Sequence, residues 1–272
     1  MSTRIASIRN SKGFSLVEVL VALILSAIVT TAAFNAYVNQ HKNYMVQDDI
    51  TTIQANARAS VDQLNRQIRM AGYQLPHGLP SIVAANTNPD TITVTYRNDG
   101  CSTNLNAAMG STTVDLSCAT DPTCFKDGQW SYIWEPDSAK GEWFQVTHSV
   151  GGSNKIQHAI GLSRKYGLNS TVLSLIQLKF YVDRSDTTHP KLMVSALNGT
   201  PQIFADDITD LQFTYRLTNG TVVNLPASYE DVVEVLVSVT ARSSNPDLDR
   251  PAGQQYRSRA YTSSVSLRNR GV

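Results

Sequence analysis

Hydrophobic positions divide this 272-residue chain into three regimes of different period. From Phe14 to Phe34 nearly every position is apolar, broken by Glu18 and a few Ser and Thr. At about 1.5 Å per residue that stretch makes roughly 30 Å of helix, the thickness of a bilayer core. Next, Val46, Ile50, Ile53, Ala57, Val61, Leu64, Ile68 and Ala71 recur at spacings of three or four, flanked by Gln, Asn, Asp and Arg. This spacing predicts a helix with one apolar stripe that packs on a folded domain. Two alanines in the stripe favour packing on a sheet over a coiled-coil seam. No proline falls between Met1 and Pro76, so nothing forces the helix to stop at the membrane. Gly72 and Pro76 mark its expected end.

Beyond Pro80 the period falls to two. Ile92, Val94 and Tyr96 alternate with Thr91, Thr93 and Thr95, and the same alternation runs through Ile176 to Val182, Leu211 to Leu217, Val233 to Val239 and Tyr261 to Leu267. These segments predict half-buried antiparallel strands with one face available to the helix stripe. Shorter candidates are 130–135, 143–150, 155–160 and 191–197, with turn signals at Gly151-Gly152, Asn198-Gly199 and Asn219-Gly220. One long helix against antiparallel sheet is an α+β fold. Residues 98–141 show little periodicity and hold Trp130, Tyr132 and Trp134, which are expected either to shape a partner-facing surface or to cap the core.

Charge alters the reading of the first regime. Arg4, Arg9 and Lys12 precede the apolar run, and the next cation is Lys42. The positive-inside rule then places residues 1–13 in the cytoplasm and the rest of the chain outside. A cleaved secretory signal has a core of about 7 to 15 residues without an acid; here the core is longer and Glu18 interrupts its start. A plain signal anchor accounts for length and orientation but not for the carboxylate, which costs about 2.5–3.5 kcal/mol at the centre of a bilayer. A position one turn into the helix softens that cost through the dipole and snorkelling.

Lys12-Gly13-Phe14-Ser15-Leu16-Val17-Glu18, continuing into the span, resembles the class III signal of type IV pilins and type II secretion pseudopilins. The resemblance implies a type IV pilin-like fold: a long N-terminal helix, half transmembrane and half amphipathic, on an antiparallel sheet domain. It further implies that prepilin peptidase cuts between Gly13 and Phe14 and methylates the new amine on Phe14. Glu18, the fifth residue of the mature chain, would pair with that amine on a neighbouring subunit, each charge in a lipid-like core requiring an opposite one. Ile68-Arg69-Met70-Ala71-Gly72-Tyr73, together with 231–242 and 257–270, resembles the minor pilin called PilW. The domains implied are a cleaved leader (1–13), a helix (14–75) spanning the inner membrane over 14–34, and a periplasmic β-rich domain (76–272). The partners implied are prepilin peptidase, other minor pilins and major pilin, in an initiation or tip complex of the pilus. A J-type pseudopilin of type II secretion shares this architecture, and a membrane-anchored adhesin or DNA-binding tip protein is the reading from another class.

Composition adds bounds. Lys plus Arg number 23 against 22 Asp plus Glu, so no overall field draws the chain to nucleic acid, and the arginines after Arg242 read as a solvated face. Cys101, Cys118 and Cys124 allow one disulfide and one leftover thiol in an exported domain. Sequence alone does not choose the pair; Cys118 with Cys124 closes the shortest loop, around an Asp121-Pro122 turn, and is the slightly favoured expectation. Zinc would need more ligands than these cysteines offer, and no histidine lies near them. The five histidines are scattered, and the chain has no P-loop, no GxGxxG after a strand and no Gly-x-Ser-x-Gly elbow. Asp206, Asp207 and Asp210 lack the glycine and distal glutamate of a calcium loop and are expected to form a turn before a strand at Leu211. The expectation is a structural protein without cofactor, metal or catalytic residues.

Overall fold

The computed structural model describes residues 13–247 and 249–269. The leader cations Arg4, Arg9 and Lys12 therefore lie outside the described residues. Compactness divides the chain after Thr51 into two units, a boundary that falls inside the single long helix α1 (Leu16–Met70).

In the first unit the described chain is the N-terminal part of α1, and its apolar residues from Leu16 to Val29 are exposed. Among the described residues the second unit holds the rest of α1 and thirteen strands. Nine strands form one sheet: β1 (Ile82–Ala85), β2 (Thr91–Asn104), β3 (Leu116–Ser117), β4 (Trp130–Glu135), β5 (Lys140–Val150), β6 (Lys155–His158), β7 (Thr171–Asp183), β8 (Lys191–Ala196) and β9 (Gln202–Asp206). Four form another, in the order β11-β10-β12-β13: β10 (Ile208–Leu217), β11 (Val222–Val223), β12 (Val232–Arg242) and β13 (Ser258–Ser266). Neighbouring strands are antiparallel throughout the described pairs, as the alternating patterns predict.

The helix stripe is buried from Ile53 onward, through Ala57, Val61, Leu64 and Ile68, whereas Val46 and Ile50 are not fully covered. It shares a core with Ile92, Val94 and Phe180 of the larger sheet and with Leu211, Phe213, Val235, Val237 and Val239 of the smaller one. Polar contacts set the helix in register: Asn65 donates to the Ser263 hydroxyl at 2.9 Å, and the Tyr96 hydroxyl donates to Gln67 Oε1 at 2.9 Å. Gly72 ends the helix with φ +79°, donating its N–H to the Thr95 carbonyl. A Cβ there would lie 1.8 Å from the Asn269 carbonyl oxygen, so only glycine fits. Between the sheets, the buried Asp90 carboxylate accepts the Thr87 N–H at 2.9 Å and the Phe213 N–H at 2.8 Å. Such charge-assisted bonds let a carboxylate sit away from water.

Three expectations need correction. Residues 98–141 are more ordered than their weak periodicity suggests: besides the expected strand at 130–135, β2 continues to Asn104 across a register shift between Arg97 and Ser102. The shift breaks the alternation that would have announced the strand. On β12 the inward residue at the start is Val232, not Val233, because a second shift between Arg216 and Leu217 changes the parity. Asp207 makes the expected turn, with φ +57°, but β10 begins at Ile208, three residues before Leu211.

The disulfide is also not the expected pair. Cys101 is bonded to Cys124, with Cα atoms 5.7 Å apart, and Cys118 is a buried free thiol. Strand geometry overrides loop length here. Cys118 follows β3, bridges antiparallel to Leu105, and turns its side chain into a second core with Leu116, Phe125, Ile133 and Ile156. Burial pushes its thiol up to about 11, so it stays protonated and inert at neutral pH.

The aromatic trio divides. Tyr132 meets Trp143 edge to face at 5.3 Å and packs with Leu173 and Leu175 in a third small cluster, against which Trp134 also packs. These rings cap a core. Trp130, two residues earlier on the same face of β4, lines a notch instead.

Candidate functional site

The chemistry implied by the sequence is concentrated at the start of α1. Ser15 is the last residue before the helix, and Glu18 lies in its first turn. Their contacts are reciprocal. The Ser15 hydroxyl accepts the Glu18 N–H at 3.2 Å, and Glu18 Oε2 accepts the Ser15 N–H at 3.4 Å. This is a capping box, which satisfies two of the N–H groups that a helix start leaves unpaired. Sequence reasoning singled out Glu18 and passed over Ser15, although Ser-x-x-Glu ahead of an apolar run is the written signature of the motif.

Gly13 and Phe14 precede this cap in open chain. No atom comes within 4 Å of a Cβ built on Gly13, and Phe14 is 82% exposed. The bond between them thus sits on an accessible segment next to a capped helix start. Both capping partners lie on the Phe14 side of it, so scission there leaves the box intact.

The apolar stretch satisfies hydroxyl groups within its own helix. The Ser26 hydroxyl donates to the Leu23 carbonyl, Thr30 to Ser26 and Thr31 to Ala27, at 2.7–2.9 Å. Each hydroxyl is thereby satisfied inside the helix, as lipid requires. Ala27, Ile28, Thr31, Ala32 and Asn35 border a shallow hollow on the exposed helix surface. By length and composition this helix can cross a membrane. Glu18 is the one ionisable side chain between Phe14 and Phe34.

The remaining polar clusters serve the scaffold. His189 and the Ser244 hydroxyl both contact the buried Asp207 carboxylate, joining the β7–β8 loop to the ends of β9 and β12. Arg164 pairs with Glu135 at 2.7 Å and lies over the Tyr166 ring. The Gly167 N–H and the Ser138 hydroxyl hold the Glu135 carboxyl below its ordinary range, with Arg164 adding to the effect. Among the described residues no three or more of His, Cys, Asp and Glu gather as a metal site.

An apolar helix long enough to cross a membrane, opened by a capping box and followed by an antiparallel sheet domain, is an α+β arrangement consistent with a pilin-like fold. A family model described as the prokaryotic N-terminal methylation motif matches residues 8–34, of which 8–12 lie outside the described residues. The match covers the N-terminal signal and the start of α1; a prepilin-type signal supports a type IV pilin-like protein and implies processing by prepilin peptidase and assembly with other pilins or pseudopilins. No curated protein matches the chain.

Proposed function

We propose that the chain is a minor pilin. Prepilin peptidase cuts it after Gly13 and methylates Phe14, and α1 holds it in the inner membrane with residues 76–272 in the periplasm. It then joins other minor pilins and major pilin in the complex that starts, and remains at the tip of, a type IV pilus. The observation that carries this reading is one carboxylate, Glu18, one turn inside an exposed apolar helix within the matched motif. The segment Ile68 to Tyr73 and strands β12 and β13, with their likeness to PilW, support the pilus over a secretion pseudopilus.

Glu18 has two successive partners in this scheme. Before assembly it accepts the Ser15 N–H of its own chain; in the filament it turns to the Phe14 ammonium of a neighbour. An α-amine with an ordinary pKa of about 7.7–8.0 is largely cationic at neutral pH.

Mass spectrometry of the mature N-terminus tests the processing step: an N-methylated Phe14 is expected, and an N-terminus near Asn35 would overturn the proposal. Deleting the gene and scoring piliation against protein secretion tests the destination. Loss of piliation with intact secretion is expected; the reverse makes the protein a J-type pseudopilin, and no defect in either makes it an anchored binding protein.

A further inference from the structure

Strand β7 is forked. Its residues Thr171–Leu173 pair with β4, while Leu178–Asp183 pair with β8 on the same edge. Between them, Ser174–Gln177 have β2 on one side and no strand on the other among the described residues. The fork leaves an open notch of about 370 Å³, lined among others by Trp130, Trp143 and the turn at Asn198-Gly199. That volume is in the range of small-molecule sites. The Gln177 carbonyl already accepts the Leu197 N–H at 3.1 Å, so the edge left at Ser174–Ile176 is too short to accept an added strand.

The walls have a distinctive chemistry. Two half-buried tryptophans stand beside Gln129, Gln145, Gln177 and Asn198, and no lining residue carries a charge. Each glutamine gives one amide proton to the scaffold: Gln129 to the Ser174 hydroxyl at 2.7 Å, Gln145 to the Gly128 carbonyl at 3.1 Å and Gln177 to the Thr95 hydroxyl at 3.2 Å. Those bonds hold the rotamers and leave each amide a second proton to donate. Trp143 is itself braced edge to face by Tyr132.

We infer that this notch binds a neutral saccharide, one or two sugar units in size. The C–H face of a pyranose packs on an aromatic ring, and amides supply both donors and acceptors to hydroxyl groups. A nucleic acid or other phosphate-bearing ligand would find no counter-charge there. The inference stands on the distal domain alone and holds whichever filament the chain enters.

The test uses full-length protein in a detergent without a sugar headgroup. Lactose, maltotriose and chitotriose are titrated while tryptophan fluorescence and saturation-transfer NMR are followed, with a thymidine dodecanucleotide as the anionic comparison. Saturable binding of at least one sugar near 1 mM or tighter is expected, weakened about tenfold or more by Trp130→Ala. Trp143 braces the fold, so Gln177→Leu serves as the second variant; it gives up one hydrogen bond to Thr95, should still fold, and should weaken binding. No saturation by any of the three up to about 20 mM, well beyond that affinity scale, overturns the inference. Preference for the oligonucleotide, or unchanged affinity in folded Trp130→Ala and Gln177→Leu proteins, overturns it as well.

Discussion

Glutamine at position 18 separates the two roles assigned to Glu18. The capping box tolerates Gln as well as Glu at its third helical position, because either side chain can accept the N-cap N–H. Glu18→Gln therefore keeps the contact to Ser15 seen at 3.4 Å and removes only the charge. Losing the cap altogether, as in Glu18→Ala or Ser15→Ala, costs about 1 kcal/mol, roughly fivefold in the equilibrium of the first helical turn. An ion pair buried among apolar helices is a larger quantity: removing one partner costs about 3–5 kcal/mol, because the other charge is stranded. Converted at 1.4 kcal/mol per decade, that is more than about 100-fold in incorporation. The expected order is thus Ser15→Ala assembling at a modestly reduced level, and Glu18→Gln and Glu18→Ala both failing, with Phe14 still processed in all three. Sheared-filament immunoblotting gives the incorporated fraction, and mass spectrometry checks the N-terminus. Wild-type incorporation of Glu18→Gln would refute the pairing and leave Glu18 as a helix cap only.

Other expectations concern the distal domain. Gly72→Ala must give up a left-handed conformation, worth about 1–2 kcal/mol, and relieve a contact with Asn269 that would stand at 1.8 Å, so a loss of about 3 kcal/mol or more is expected as a Tm fall of roughly 6–12 °C; an unchanged Tm contradicts the close approach. Cys101→Ser opens a crosslink spanning 23 residues and should cost about 3 kcal/mol, measured by denaturant unfolding, whereas Cys118→Ser should leave the crosslink intact by mass. Burial raises the Cys118 pKa from 9.0 to about 11, so the folded state holds this proton more tightly than the unfolded chain does. The stability this confers is complete below about pH 9 and is lost as pH rises towards 11; Cys118→Ala should flatten that part of the pH profile, read by chemical denaturation.

The elements were visible where a single period runs unbroken. The stripe from Ile53 to Ala71, the alternation at Ile92 to Tyr96 and the short segment 130–135 each appear in the fold as read. Pattern reading failed at the register shifts beside Ser102 and Val232, where three extra residues on β2 and one on β12 each change the parity of the alternation. It failed again at Asp207, where a single residue at positive φ ends β9 and lets β10 start at once.

What the sequence determined by itself is the chemistry of proximity along one helix. A cap, a carboxylate and an apolar span within about twenty residues need only the 3.6-residue repeat to be placed relative to one another. What tertiary structure alone decided is which distant residues meet. Cys101 rather than Cys118 reaches Cys124 because β3 pairs with β6 and turns Cys118 inward. Trp130, Trp143 and three glutamines converge because β7 changes partner from β4 to β8 midway along its length. Strand pairing is a choice among long-range partners, and no local period records it.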